Sequence, residues 1–273
     1  MCDLTEAVAT LAAAFSGRLG VAAKNLTTGE TFRLHDTENF HPASTIKVPV
    51  LVAVYEAIEA GALSLDDTLL FEPELTMPDG GVMDGFTPGY RYPVRDLAHL
   101  MTVISDNTAT NMLVKRLGFA AVNGLLDRYG LHATRLGKYL GIPKPDGAPP
   151  NRATPADMAR LMELLATDRI LTASACHAML ATMRQQKHHS GITRYIDDFD
   201  DELEPDEIKV RVASKSGWFR TVRNDVAVVW APRATYVLAM FSRECKDASY
   251  KVDNEAAVLL ARVSRVFYDA WGS

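Results

Sequence analysis

Strand-like stretches lie at the two ends of this chain and helical periodicity fills its middle, an arrangement that restricts the fold more than any other feature. Leu19 to Lys24 is an apolar run that enters the turn Leu26-Thr27-Thr28-Gly29-Glu30 and continues as Thr31 to Leu34, the signature of a β-hairpin. Strand character returns only at Lys209 to Lys215, Asp225 to Trp230 and Thr235 to Ser242. Between the two ends, Ile46 to Ala60, Val94 to Ile104, Thr108 to Leu117, Ala120 to Tyr129, Pro155 to Ala166 and Ala173 to Met183 carry apolar residues at helical spacing. Terminal helices are expected at Glu6 to Phe15 and Asn254 to Ala270. The pattern predicts an α/β (α+β) protein: a mixed sheet built from both termini and flanked by helices, with an all-helical lobe inserted. Residues 1–40 and 195–273 would form the sheet lobe and 41–194 the helical lobe, one compact unit with its cleft where the lobes meet.

Over 273 residues, a hydrophobic share of 48% is enough to bury a core of this size. The net charge of −5 gives no electrostatic reason to expect nucleic acid or an anionic membrane as partner, so an anionic substrate must be drawn by local cations. No apolar stretch approaches the roughly 18–20 residues that span a bilayer. Met1 to Phe15 lacks the basic and apolar segments of a secretory leader. As written the chain is expected to be cytoplasmic, and periplasmic or extracellular if a leader has been removed. Cys2 is a candidate lipid-attachment residue if Met1 is not native. With Cys176 and Cys245 it makes an odd total without metal-type spacing, read as three reduced thiols. The pair His188–His189 lies in a polar run, Gln185 to Ser190, read as solvated surface; no metal or organic cofactor is expected, and the oligomeric state is not legible.

Three short motifs carry the chemistry. In Ser44-Thr45-Ile46-Lys47, residues three apart on a helix share a face, so Ser44 and Lys47 project into one space. A helix N-terminus favours negative charge at Ser44, and the apolar flanks Ile46, Val48, Pro49 and Val50 would ease proton loss from Lys47. The lysine can then take the serine proton as attack begins. Alone, this motif is weak and reads more readily as a capping serine with a solvent-facing lysine. In Ser105-Asp106-Asn107 all three residues suit a helix-linking cap. In a functional reading, Ser105 relays a proton to a leaving nitrogen, Asn107 binds a substrate amide and Asp106 holds the turn. Lys215-Ser216-Gly217 lies near the end of a strand, where Lys215 and Ser216 can anchor a carboxylate, Gly217 permits close approach, and the Trp218 N–H can help hold an oxyanion.

Taken together, in this order and about sixty and then about a hundred residues apart, the motifs are far more specific than any one of them. From about Leu19 onward the sequence resembles the class A β-lactamases and penicillin-binding proteins, with Ser216 where threonine is usual. Val103 to Asn111 and Thr154 to Ala159 support the likeness. The resemblance implies a serine hydrolase that passes through an acyl-enzyme on Ser44, needs no cofactor and acts on a small molecule, β-lactam amides first. The alternatives are a penicillin-binding module that acylates and releases slowly, or an esterase or peptidase of the same fold.

Two departures stand out. Class A enzymes carry a water-activating Glu in the loop after Thr134-Arg135-Leu136, and the matching position here is Leu140. Between Lys138 and Thr154 there is no Glu, and the only acid is Asp146, between Pro145 and Gly147. The carboxylate-pairing arginine of many relatives has two nearby candidates, Arg220 and Arg223. The Trp218-Phe219 pair either roofs the cleft or packs on the sheet.

Overall fold

The computed structural model describes residues 4–142, 147–197, 199 and 209–273. The chain runs α1 (Leu4–Ala13), β1 (Arg18–Asn25), β2 (Thr31–Leu34), a 3₁₀ turn (Ala43–Ile46), α2 (Lys47–Glu59), β3 (Thr68–Leu70), β4 (Arg91–Pro93), α3 (Val94–Val103), α4 (Asn107–Leu117), α5 (Phe119–Arg128), α6 (Pro155–Ala166), α7 (Ala173–Met183), β5 (Arg211–Phe219), β6 (Val222–Trp230), β7 (Thr235–Arg243) and α8 (Glu255–Phe267). The five-stranded sheet has the order β2-β1-β7-β6-β5, and β3 pairs with β4 in a separate ribbon.

The α/β architecture of the sequence reading holds, with one refinement: the sheet expected to be mixed is antiparallel in every described pairing. Hairpins join β1 to β2, β5 to β6 and β6 to β7, and a short turn returns the chain antiparallel to itself. The first and last portions of the chain then meet through β1 and β7, Arg18 opposite Arg243.

Alternation along the strands builds two cores. Ala213, Val226, Val228, Val237, Ala239 and Phe241 face the helices of the middle segment. Val212, Ala227, Val229, Tyr236, Leu238 and Met240 face α8 and α1. The same period of two assigns the polar residues of β5 and β6 to a face: Lys215 and Asn224 turn towards the helical side, Arg223 and Asp225 towards α8. Among the described residues no helix is long and apolar enough to cross a membrane, and Cys176 and Cys245 are buried free thiols. Cys2 lies outside the described residues.

Candidate active site

The first motif begins with a kink. Ala43 has φ +48°, in the left-handed region, and the 3₁₀ turn that follows carries Ser44 into α2. Ser105 in the second motif is also left-handed, at φ +62°. Such conformations cost about 1–3 kcal/mol each at non-glycine residues and persist where surrounding contacts impose them. Those contacts are present. Asn224 on β6 donates from Nδ2 to the carbonyls of His41 and Pro42, both at 2.9 Å, which fixes the turn before Ser44. Asp106 caps α4 through Ala109 N at 2.8 Å and accepts the amides of Val82 and Met83 at 2.8 Å, so the Ser105 corner is tied down. Asp106 thus holds the turn, as the sequence suggested.

Lys47 joins the first two motifs. It is 1% exposed, and its Nζ donates to Ser105 O at 2.5 Å, Ser105 Oγ at 3.0 Å and Asn107 Oδ1 at 2.6 Å. Those contacts use all three donors of an ammonium. Burial, and then the charge of Lys215, hold Lys47 well below the usual lysine range, with Asp106 opposing. Loss of one proton therefore exposes a lone pair beside Ser105 and Asn107. Ser44 itself is half-buried.

The third motif sits in the middle of a strand rather than near its end. β5 continues through Gly217 to Phe219, because its last residues still pair with β6, Phe219 opposite Val222. Lys215 is 1% exposed and donates to Ser216 O at 2.9 Å and Gln186 Oε1 at 3.2 Å. Burial brings it down to about 7, opposed by the charge of Asp225. Ser216 donates its N–H to Gln186 Oε1 at 3.1 Å, away from β6 and off the free edge of the sheet. In an antiparallel ladder N–H groups two residues apart point the same way, so the Trp218 N–H faces that edge too. The Ser44 amide lies nearby: a Cβ added to Gly217 would fall 2.7 Å from Ser44 N and 3.0 Å from Pro42 O. Ser44 N is in a first helical turn, where no intrahelical acceptor exists. Two amides can thus converge on one developing oxyanion.

The contact at Gly217 gives a test. Gly217→Ala must push the Ser44 turn outward, because the obstructing atoms are backbone. Acylation of Ser44 should fall about 10²-fold, the scale of a 1 Å misplacement, with the melting temperature changed far less. A variant that reacts at the wild-type rate would show that this approach does not position Ser44.

Neither arginine joins Lys215. Arg223 is buried on the α8 side, donating to the carbonyls of Val222 at 2.7 Å and Arg220 at 2.9 Å, with its guanidinium over Tyr250. Arg220 is exposed at the hairpin tip. Trp218 and Phe219 remain 41% and 47% exposed and line the rim. Trp218 meets His188 edge-on at 4.6 Å between ring centres, and Phe219 stacks on His41 at 4.9 Å.

The polar run read as solvated surface contributes directly to this site. Gln186 is buried, accepts from Lys215 and Ser216, and donates to Ser214 Oγ at 2.7 Å. His188 is half-buried, and burial followed by the charge of Lys215 holds it below the ordinary histidine range. Both residues meet β5 only through the fold, so no local pattern marks them. Asn224 is likewise a strand residue whose partners are remote in sequence.

Leu140 borders the site from the far side. Its N–H donates to Asn111 Oδ1 at 2.8 Å and its carbonyl accepts Asn111 Nδ2 at 3.0 Å. Asn111 stands one turn along α4 from Asn107, on the same face. The Leu140 side chain packs against the apolar core of the helical side. Asp146, the only acid of this loop, lies outside the described residues. Among the described residues no cluster of three or more His, Cys, Asp or Glu is placed to hold a metal.

The sequence profile of the β-lactamase enzyme family matches residues 3–271. The β-lactamase of Rhodobacter capsulatus is 29% identical over 266 residues, covering 95% of this chain and 86% of that protein. Among solved structures, the β-lactamase of Sphaerobacter thermophilus superposes with a TM-score of 0.85 at 32% identity, covering 98% of this chain and 96% of that one. PBP-A superposes equally well, TM-score 0.85 at 28% identity, covering 99% and 96%. A class A fold, a serine set at a strained turn and a profile spanning the chain agree: this protein belongs to the β-lactamase enzyme family and is a serine hydrolase of the β-lactamase type.

Proposed function

We propose that the protein opens β-lactam amides through an acyl-enzyme on Ser44 and that release of the acyl group limits its turnover. The observation that carries this reading is the buried Lys47, bonded at once to Ser105 and Asn107 and depressed in basicity. Neutral Lys47 takes the Ser44 proton as Oγ attacks the lactam carbonyl. The amides of Ser44 and Trp218 hold the oxyanion, the C–N bond breaks, and Ser105 passes a proton to the leaving nitrogen. The product is a Ser44 ester with the lactam nitrogen protonated. Asn107 receives the acyl-side amide, while Lys215, aided by Ser216, attracts the substrate carboxylate. The cleft so formed lies between the helical segment 41–194 and the sheet segments 1–40 and 195–273.

Release needs a water held and deprotonated over the ester. Leu140 offers no base, and a positioned general base contributes about 10²–10⁴-fold. A mutant of the similar PBP-A has been captured as an acyl-enzyme complex with penicillin G, which supports a shared acylation chemistry. Intact-protein mass spectrometry after mixing with benzylpenicillin, and separately with a p-nitrophenyl ester, tests the reading. The expected result is one adduct of the whole penicillin mass, mapped to the peptide carrying Ser44. No adduct, or an adduct elsewhere, would overturn it.

Lys215 adds a pH signature. A lysine brought down to about 7 is cationic below that pH and neutral above it, so KM for carboxylate-bearing substrates should rise above pH about 7. Lys215→Ala should raise that KM roughly 10- to 10²-fold, the scale of a charged hydrogen bond, and leave neutral esters nearly unaffected. It should also move the acid limb of acylation to higher pH, since the Lys215 charge is one of the causes that depress Lys47. Equal losses on both substrate types would assign Lys215 to the proton relay or to the fold.

A further inference from the structure

The acyl side of the cleft is occupied in the free protein by a residue of the loop before β4. Met77 places its Sδ 3.1 Å from Asn107 Nδ2. The orientation of that amide is fixed, because Asn107 Oδ1 accepts from Lys47 Nζ at 2.6 Å and an amide nitrogen could not take its place as acceptor. The amide that would bind a substrate carbonyl thus already has one of its two N–H groups paired, to a weak thioether acceptor. Met77 is also held in place. Its N–H donates to Thr108 Oγ1 at 3.1 Å, its carbonyl accepts Gly80 N at 3.1 Å, and Gly80 O accepts Asn107 N at 2.8 Å. On its other side the Met77 sulfur abuts Gly141, where an added Cβ would lie 1.9 Å from Sδ; Gly141 has φ +69°. The residue after Leu140 is thus cut away to leave room for this side chain.

We propose that Met77 gates the acyl side of the cleft, its sulfur holding the Asn107 amide donor until a carbonyl oxygen of the substrate replaces it. The substrates selected are β-lactams with an acylamino side chain. Their carbonyl oxygen exchanges a weak N–H···S contact for a stronger N–H···O bond, and the flexible methionine swings aside. A substrate without that carbonyl has nothing to offer Asn107, so Met77 stays in place. Burying an amide donor without a partner is costly, and sites built this way discriminate through that cost. The inference rests on the reading of Ser44 as nucleophile and Asn107 as amide-binding group.

The test compares acylation by benzylpenicillin, which carries the side-chain amide, with acylation by 6-aminopenicillanic acid, which lacks it. The readout is the ratio of the two second-order acylation constants in one preparation, which a partly unfolded sample does not change. Met77→Leu keeps the volume and removes the acceptor, and should raise the ratio about three- to tenfold, the range of one net hydrogen bond. Met77→Gln supplies a competing oxygen acceptor and should lower it. An unchanged ratio in both variants, with both substrates still forming adducts, would overturn the gate while leaving Ser44 in its role. A wild-type protein that forms no adduct with either substrate would overturn the Ser44 reading and the gate with it.

Discussion

Replacing Ser44 by alanine is expected to abolish both covalent labelling by β-lactams and hydrolysis, a loss on the order of 10⁶-fold in turnover. The reason is geometric. Among the described residues, Ser44 is the serine that combines a helix-start position, a neighbouring lysine with depressed basicity and a free strand edge close to its own amide. Ser105 is the hydroxyl that Lys47 reaches, and its Oγ is already bonded to Lys47 at 3.0 Å in a left-handed corner fixed by Asp106. It is placed to pass protons and not to receive an acyl group. The alanine variant should retain the wild-type melting temperature within a few degrees, since no side-chain hydrogen bond of Ser44 is among those described. A Ser44→Ala protein that still acquires a penicillin mass would move the nucleophile elsewhere, and peptide mapping would identify where.

The motifs were legible in the sequence because each is local. Ser44 and Lys47, Ser105 and Asn107, and Lys215 and Gly217 are separated by two or three positions, and helix or strand geometry already says what such neighbours share. Helices with explicit start signals were equally legible. α6 and α7 begin and end where expected, since Thr154 caps through Asp157 N with Pro155 in the first turn, and Thr172 caps through Ala175 N. The short ribbon β3–β4 was not seen, because β4 lies inside a stretch of glycines and prolines and pairs with a strand twenty residues upstream. β5 ends four residues later than expected: Gly217 suggests a strand end locally, but pairing with β6 carries it through. Gln186, His188 and Met77 were invisible for a deeper reason. Each acquires its role from a partner remote in sequence, and none sits in a pattern that chance would not produce. Arg220 and Arg223 illustrate the converse, since proximity in sequence to Lys215 did not bring either to its face of the sheet.

The second large effect concerns release. The proposed acylation needs only Lys47, Ser105 and the amides of Ser44 and Trp218; with Leu140 packed on the helical core, no base stands at position 140 to assist deacylation. The acyl-enzyme should therefore accumulate. Leu140→Glu is expected to shorten its lifetime by about 10²-fold or more, the contribution of a positioned general base, while leaving acylation nearly unchanged. Position 140 suits this change because Asn111 holds its backbone from both sides, one helical turn beyond the Asn107 that touches Lys47. Should the glutamate variant release no faster, position 140 does not reach the ester, and the slow step has another cause.

Stopped-flow mixing of the wild-type protein with excess chromogenic β-lactam measures the two half-reactions in one trace. The account predicts a burst of about one equivalent of opened lactam per chain, followed by a steady phase at least 10²-fold slower, the margin set by a missing general base, with the Ser44 adduct persisting through it. A linear trace from the first turnover, with rapid hydrolysis and no adduct in quenched samples, would contradict it.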